Sequence, residues 1–254
     1  MGGGPIPAAI SGVISASAYG GFSDAAPGSW IEIYGSNLAP KTLGWAGSDF
    51  KDNTAPTSLG SVSVLIGGQP AFVYYVSASQ VDVLLPSNIS TGGPLQLALT
   101  NSGVTSASVD MTVNSAAPGL LAPASFKIGG NQYVVAQFVD GTYVLPTGAI
   151  AGLTSRPAKP GETIIIYGIG FGSVTPDIPA GEIVTKENSL SASFEMQFDQ
   201  ASAHVSYSGL APNLVGLYQF NVVVPVVSDN NLVQLTFELG GVAGRQTLFT
   251  AVQQ

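Results

Sequence analysis

The 254-residue chain has no cysteine. That removes disulfides, cysteine-ligated zinc and thiol catalysis together, and suits either redox compartment. Basic residues are almost as scarce. Seven Lys and Arg face fifteen Asp and Glu, for a net charge of −8. So few scattered cations make no electrostatic footprint for nucleic acid, and they argue against binding an anionic membrane surface. Charge of either sign is low: 9% of residues, against roughly 25% in an average soluble protein. The surface must therefore be built from Ser, Thr, Asn, Gln and Gly. No apolar run approaches the ~20 residues of a membrane span, so no membrane insertion is expected. The start, MGGGPIPAAISGVISASAYGG, has no basic n-region, and Pro and Gly break its apolar run. It does not read as a signal peptide. If the protein is exported, the signal is expected to have been removed.

What is present points to strands. Hydrophobic residues make up 45% of the chain, too many for a disordered one. Thirty-two Gly and seventeen Pro supply turns in abundance. Short Val-, Ile-, Thr- and Tyr-rich runs separated by turn residues, with no helical period between them, give an all-β protein. The chain also repeats itself. APGSWIEIYGSNL at 26 to 38 matches KPGETIIIYGIGF at 159 to 171, VDVLLP at 81 to 86 matches FNVVVP at 220 to 225, and NSGVTSASVDMTV at 101 to 113 matches LGGVAGRQTLFTA at 239 to 251. Three anchors in the same order at nearly constant offset indicate two copies of one unit.

Each copy shows the same signals. In WIEIY, Ile31 and Ile33 face one way and Trp30, Glu32 and Tyr34 the other. SVSVLIGGQPAFVYYV reads as a hairpin about Gly67-Gly68, with Val62, Val64 and Ile66 before it and Ala71, Val73 and Tyr75 after. VDVLLP is a strand stopped by Pro86, and a second hairpin turns at Asn101, Ser102 and Gly103. Residues 10 to 15, ISGVIS, open the first copy. The expected fold is two tandem immunoglobulin-like β-sandwiches, residues 8–118 and 157–254. Residues 119–156 connect them, with a hairpin at Asp140-Gly141. That segment either packs between the sandwiches or adds strands to one of them.

These phrases carry a resemblance. APGSWIEIYGSNLAP, PTSLGSVSVLIGGQPAFVYYVSASQVDVLLP, TNSGVTSASVDMTV and AAPGLL resemble a family of bacterial secreted proteins of unknown function, whose members often carry this unit at the C-terminus of large exported proteins. GLAPNLVGLYQFNVVVP, residues 209 to 225, looks like its most recognisable phrase. The unit is similar to the immunoglobulin-like TIG/IPT domains of surface receptors and polysaccharide-active enzymes. The resemblance runs from about Ile10 to Val252. It implies an extracellular or cell-surface location and a non-catalytic module: a spacer, an adhesin, or a binder of extracellular polysaccharide or of another surface protein. It brings no cofactor, metal or catalytic residue. The rival reading is a hydrolase acting on a polysaccharide or ester at the junction of the copies. Recurrence at a fixed place in the unit makes GLAPNLVGLYQFNVVVP a packing phrase, with Tyr218 and Phe220 as anchors.

Little else reads as chemistry. His204 is the one imidazole, on a strand, and no G-x-S-x-G elbow accompanies it. YGIGFGS follows a strand, but prolines follow it where a dinucleotide fingerprint needs a helix. Its glycines suit a bulge or tight turn. Asp49 and Asp52, or Asp177 and Glu182, place carboxylates on loops without EF-hand spacing. Glu32 and Asp82 lie on strands, and a glycosidase would need two carboxylates across a cleft. The aromatics are the better candidates. Trp45 and Phe50 lie in residues 41 to 58, a loop the second copy does not share, while Trp30 and Tyr34 share the face opposite Ile31 and Ile33. Aromatic faces beside polar groups suit the apolar C–H face and the hydroxyls of a sugar. The same rings could instead fill the space between sheets or units.

Overall fold

In the computed structural model, residues 6–17 and 22–254 are described. Every extended element in them is a strand, and none of their helices is long and apolar enough to cross a membrane. Thirteen strands have five or more residues. They are β1 (Ala9–Ser15), β2 (Trp30–Ser36), β3 (Val62–Ile66), β4 (Phe72–Val76), β5 (Gln80–Leu84), β6 (Gly93–Asn101) and β7 (Val109–Val113). There follow β8 (Thr163–Ile169), β9 (Phe194–Phe198), β10 (His204–Leu210), β11 (Tyr218–Val223), β12 (Asn230–Leu239) and β13 (Leu248–Val252).

The strand pairings repeat as the sequence does. β2, β5 and β4 are hydrogen-bonded neighbours, and so are β8, β11 and β10. β7, β6 and β3 form the facing sheet, matched by β13, β12 and β9. Register is conserved to the residue. Glu32 pairs with Asp82 as Ile165 pairs with Asn221, and Tyr34 pairs with Gln80 as Tyr167 pairs with Gln219.

The alternation of β2 is as its sequence indicates. Ile31 and Ile33 are fully buried, with Val81 and Val83 of β5, against Val62, Val64, Leu97 and Leu99 of the facing sheet. The expected hairpin at Gly67-Gly68 is shorter than it looks. Only Gln69–Pro70 pairs back onto β3. The chain then crosses to the other sheet, where β4 pairs with β5. On either side of that crossing, Val62 and Val64, then Ala71 and Val73, point into one core. The register of β4 slips by a bulge between Val73 and Tyr75. That turns Tyr75 outward opposite Asp82 and gives the buried position to Val76.

Residues 119–156 supply strands to the second set. Gly119–Leu120 and Ala136–Gln137 bond to β8, on the side that β1 occupies against β2 in the first. Their Leu120, Ala122, Val134 and Ala136 are buried in the second core. The Asp140-Gly141 turn forms, closing Gln137 onto Tyr143. At its other border the segment touches the first set, where the Ala122 N–H donates to the Ser17 carbonyl.

Candidate functional site

The cluster is built from the outer face of β2, β5 and β4. Trp30, Glu32 and Tyr34 project there because Ile31 and Ile33 take the core. Asp82 projects beside Glu32. Residues 41 to 58 then bring Trp45 in. Leu43–Gly44 pairs with β4, and the Trp45 N–H donates to the Tyr74 carbonyl at 2.9 Å. A single turn, Gly47–Asp49, is held by the Ala46 N–H donating to Asp49 Oδ2, and it returns Phe50 onto Trp45.

The rings meet edge to face. Trp45 lies 5.6 Å from Trp30, 5.0 Å from Tyr74 and 4.9 Å from Phe50, and Trp30 lies 5.7 Å from Tyr74. Such contacts each add about 0.5–1.5 kcal/mol beyond burial, so the cluster holds its own shape. Of the four residues singled out from sequence, Trp30, Trp45 and Phe50 come together. Trp30 and Trp45 line the cleft and Phe50 backs Trp45. Tyr34 lies beyond Glu32 on the same face of β2, outside the cleft, donating to Glu32 Oε2 at 2.6 Å. Burial and that bond push its hydroxyl up to about 12.

The far wall comes from the second set. Leu214, Val215 and Leu217, from the phrase GLAPNLVGLYQFNVVVP, join Leu121, Ile169 and Ala16 to enclose about 530 Å3 with Trp30, Trp45, Tyr74 and Asp82. Trp30 Nε1 donates to the Val215 carbonyl at 3.1 Å. Gly216 makes this approach feasible. Its φ is +63°, and a Cβ there would sit 2.4 Å from Leu84 Cδ1 and 2.9 Å from Trp30 Nε1. The loop after Phe50 also crosses the junction, where Ala55 N–H donates to Gly181 and Ile183 N–H to Asn53. The segment absent from the second copy therefore builds the cluster with one half and straps the two sets with the other.

Asp82 is the ionisable group of the cleft. Burial raises its pKa to about 6, nearby Glu32 adds to the rise, and the Gln80 amide, donating to Oδ1 at 2.8 Å, opposes it. Glu32 and Asp82 stand side by side on neighbouring strands, and only Asp82 lines the cleft. This is one wall, not the two opposed carboxylates that glycoside hydrolysis needs. His204 is exposed at the start of β10, and among the described residues its imidazole has no hydrogen-bond or ion-pair partner. Asp177 and Glu182 border a separate 320 Å3 hollow. No group of three or more His, Cys, Asp or Glu converges among the described residues. A further hollow of about 570 Å3 holds Asp24 and Arg245, which pair with each other at 2.9 Å.

Two residues of the cleft escape strand periodicity. Tyr74 is the extra residue of the β4 bulge, 44% exposed, and its signal is the doubled Tyr74-Tyr75 that breaks the alternation. Leu214, 43% exposed, sits in the loop that sequence assigns to packing alone.

No family model matches the chain, and no curated protein matches it. Solved structures similar to it include the surface glycan-binding protein PbSGBP-B from Prevotella bryantii, at 12% identity and TM-score 0.30, covering 96% of this chain and 42% of that one. An auxiliary nutrient binding protein from Bacteroides thetaiotaomicron matches at 10% identity and TM-score 0.28, over 92% and 54% of the two chains. The titin I-band fragment I67–I69 matches at 9% and 0.24, over 98% and 66%. The chain thus spans about two fifths of the glycan-binding protein and about half of the nutrient-binding one.

Proposed function

We propose that the protein is a non-catalytic, extracellular carbohydrate-binding module, whose two sandwiches hold an aromatic cleft at their junction. One observation carries this reading. Trp30, Trp45 and Tyr74, with Asp82 beside them, line a 530 Å3 cleft whose remaining wall is aliphatic. An apolar platform with one or two acceptors is the pattern that holds a sugar ring, whose C–H face stacks and whose hydroxyls donate. The low surface charge favours a neutral polymer over an anionic one. A spacer role within a longer exported protein is compatible with binding, since the strap at residues 51 to 55 limits motion between the sets.

A glycan array of the wild type beside Trp45→Ala and Tyr74→Ala tests the reading. We expect binding to a neutral glycan class and at least a tenfold loss in both variants, about 1.4 kcal/mol or more. Tyr74 is half-exposed, so its variant keeps the fold where Trp45→Ala weakens it. An array on which the wild type binds no glycan, or on which both variants bind as it does, refutes the sugar site.

A further inference from the structure

A second cleft borders the same phrase loop. It encloses about 440 Å3 between residues 184–187 and the outer face of β10 and β11, and Gln219, Asn221 and Tyr207 form its floor. Neighbouring residues of one strip line the two clefts. Tyr218, Phe220 and Val222 are buried, so Leu217, Gln219 and Asn221 project together on the outer side. Leu217 lines the aromatic cleft, while Gln219 and Asn221 line the second. From Leu217 to Asn221 the strip runs about 13 Å at ~3.3 Å per residue. Leu214 and Asn213, successive residues of one loop, border the first and second clefts respectively.

The floor of the second cleft repeats the outer face of β5 and β4, of which Asp82 lines the first cleft. Gln219 and Asn221 hold the places of Gln80 and Asp82, and Tyr207 that of Tyr75. The side-chain bond recurs as well. Gln219 Nε2 donates to Asn221 Oδ1 at 2.8 Å, as Gln80 Nε2 does to Asp82 Oδ1. With that bond made, Gln219 Oε1 and Asn221 Nδ2 have no protein partner among the described residues. The first is an acceptor and the second a donor. A neighbouring acceptor and donor match hydroxyls, each of which both donates and accepts, and Lys186 and Glu187 on the opposite wall add one charge of each sign. The Tyr207 hydroxyl is already committed to the Leu210 carbonyl at 2.7 Å, so that residue offers its ring.

We propose that the amide shelf of Gln219 and Asn221 is a second sugar subsite. It rests on the carbohydrate reading above and makes the ligand an oligosaccharide that lies along the Leu217–Asn221 strip, one end on the Trp30–Trp45 cluster and the other on the shelf. A single ring occupies only the aromatic cleft. A chain long enough to pass Leu217 gains the amides.

Calorimetry with mono- to hexasaccharide ladders of cello-, xylo- and manno-oligosaccharides tests this on the intact chain. For the ladder that binds, affinity is expected to rise in a step once the chain spans both clefts. The double variant Gln219→Ala/Asn221→Ala is expected to remove the step, about tenfold for two modest hydrogen bonds, and to leave the shortest binding sugar unchanged. Asn221→Asp, which keeps shape but replaces the donor with an acceptor, is expected to lose part of the step while the shortest binding sugar binds as before. Affinity independent of length, or a step that survives the double variant, overturns the second subsite and leaves the aromatic one standing. No binding by any ladder overturns both.

Discussion

The two strand sets gather aromatic rings in different places, one between its sheets and the other on an outer face. In the second set the rings are inside. Phe171 lies 4.7 Å from Phe220, 5.4 Å from Phe237 and 5.7 Å from Phe194, and three of the four are buried. In the first set the buried cluster is aliphatic among the described residues, built from Ile31, Ile33, Val64, Ile66 and their neighbours, and the rings of Trp30, Trp45 and Tyr74 gather outside. The matched positions make the contrast sharp: Phe220 answers to Val81, while Trp30 answers to Thr163 and Tyr74 to Ser206. Rings in a core fill volume. Rings on the outer face line the cleft that the proposed function assigns to a ligand.

The largest effect separating the two sets should come from truncating a matched core pair. Phe220→Ala is expected to destabilise by about 3–5 kcal/mol, since it opens a ring-sized cavity. Val81→Ala at the equivalent place is expected to cost about 1–3 kcal/mol, in line with the smaller side chain removed. Urea unfolding of both variants gives the ratio. Equal losses would mean that the second core does not depend on its rings.

A smaller effect lies where the sets touch. Gly216→Ala puts a Cβ into the Leu84 methyl and the Trp30 indole at a positive φ, at a cost of about 1–3 kcal/mol. The first set carries Ser77 in the equivalent place, and there the Ser77 hydroxyl accepts the Ser79 and Gln80 N–H groups instead of admitting another ring. The variant should lower the melting temperature and shift tryptophan emission to the red as Trp30 loses the Val215 carbonyl. Unchanged emission would show that the indole does not depend on this approach.

These contrasts were unevenly legible in the sequence. The all-β class, the repeated order of strands and the outward face of Trp30 follow from period-two alternation, which depends only on local burial. Trp45 and Phe50 stood out because no strand periodicity explains them. The β4 bulge did not show, because one inserted residue leaves every neighbouring side chain plausible on either face. The partner of the cluster was hidden for a different reason. Leu214 and Val215 lie far along the chain, in a phrase whose recurrence reads as packing within its own sandwich. That reading holds for Tyr218 and Phe220, which are buried, and misses the loop that reaches across to Trp30. Contacts between copies leave no periodic trace, because each copy's pattern records only its own core.

The smallest expected effect is the most specific to the comparison. Asp82 and Asn221 occupy the same place and accept the same bond from a glutamine two residues earlier. The second set shows that an amide suffices there, and the first keeps an acid whose pKa burial raises from 3.8 to about 6. Below pH 4 the carboxyl is protonated folded or unfolded, and it makes no difference to stability. Between pH 4 and 6 the unfolded chain releases this proton while the folded one retains it, so stability falls as pH rises, and above pH 6 the loss is complete. Two units correspond to about 2.7 kcal/mol, which partial solvent contact reduces to about 1–2 kcal/mol. Asp82→Asn should therefore match the wild type near pH 4, exceed its stability by that amount at pH 7, and flatten the dependence between. Melting curves across this range decide it, and a variant no more stable at pH 7 would mean that the cleft does not desolvate its acid. If the gain appears together with weaker glycan binding, Asp82 is kept at a cost to the fold for the acceptor it presents to a ligand, and Asn221 marks the position where the same backbone was freed from that cost.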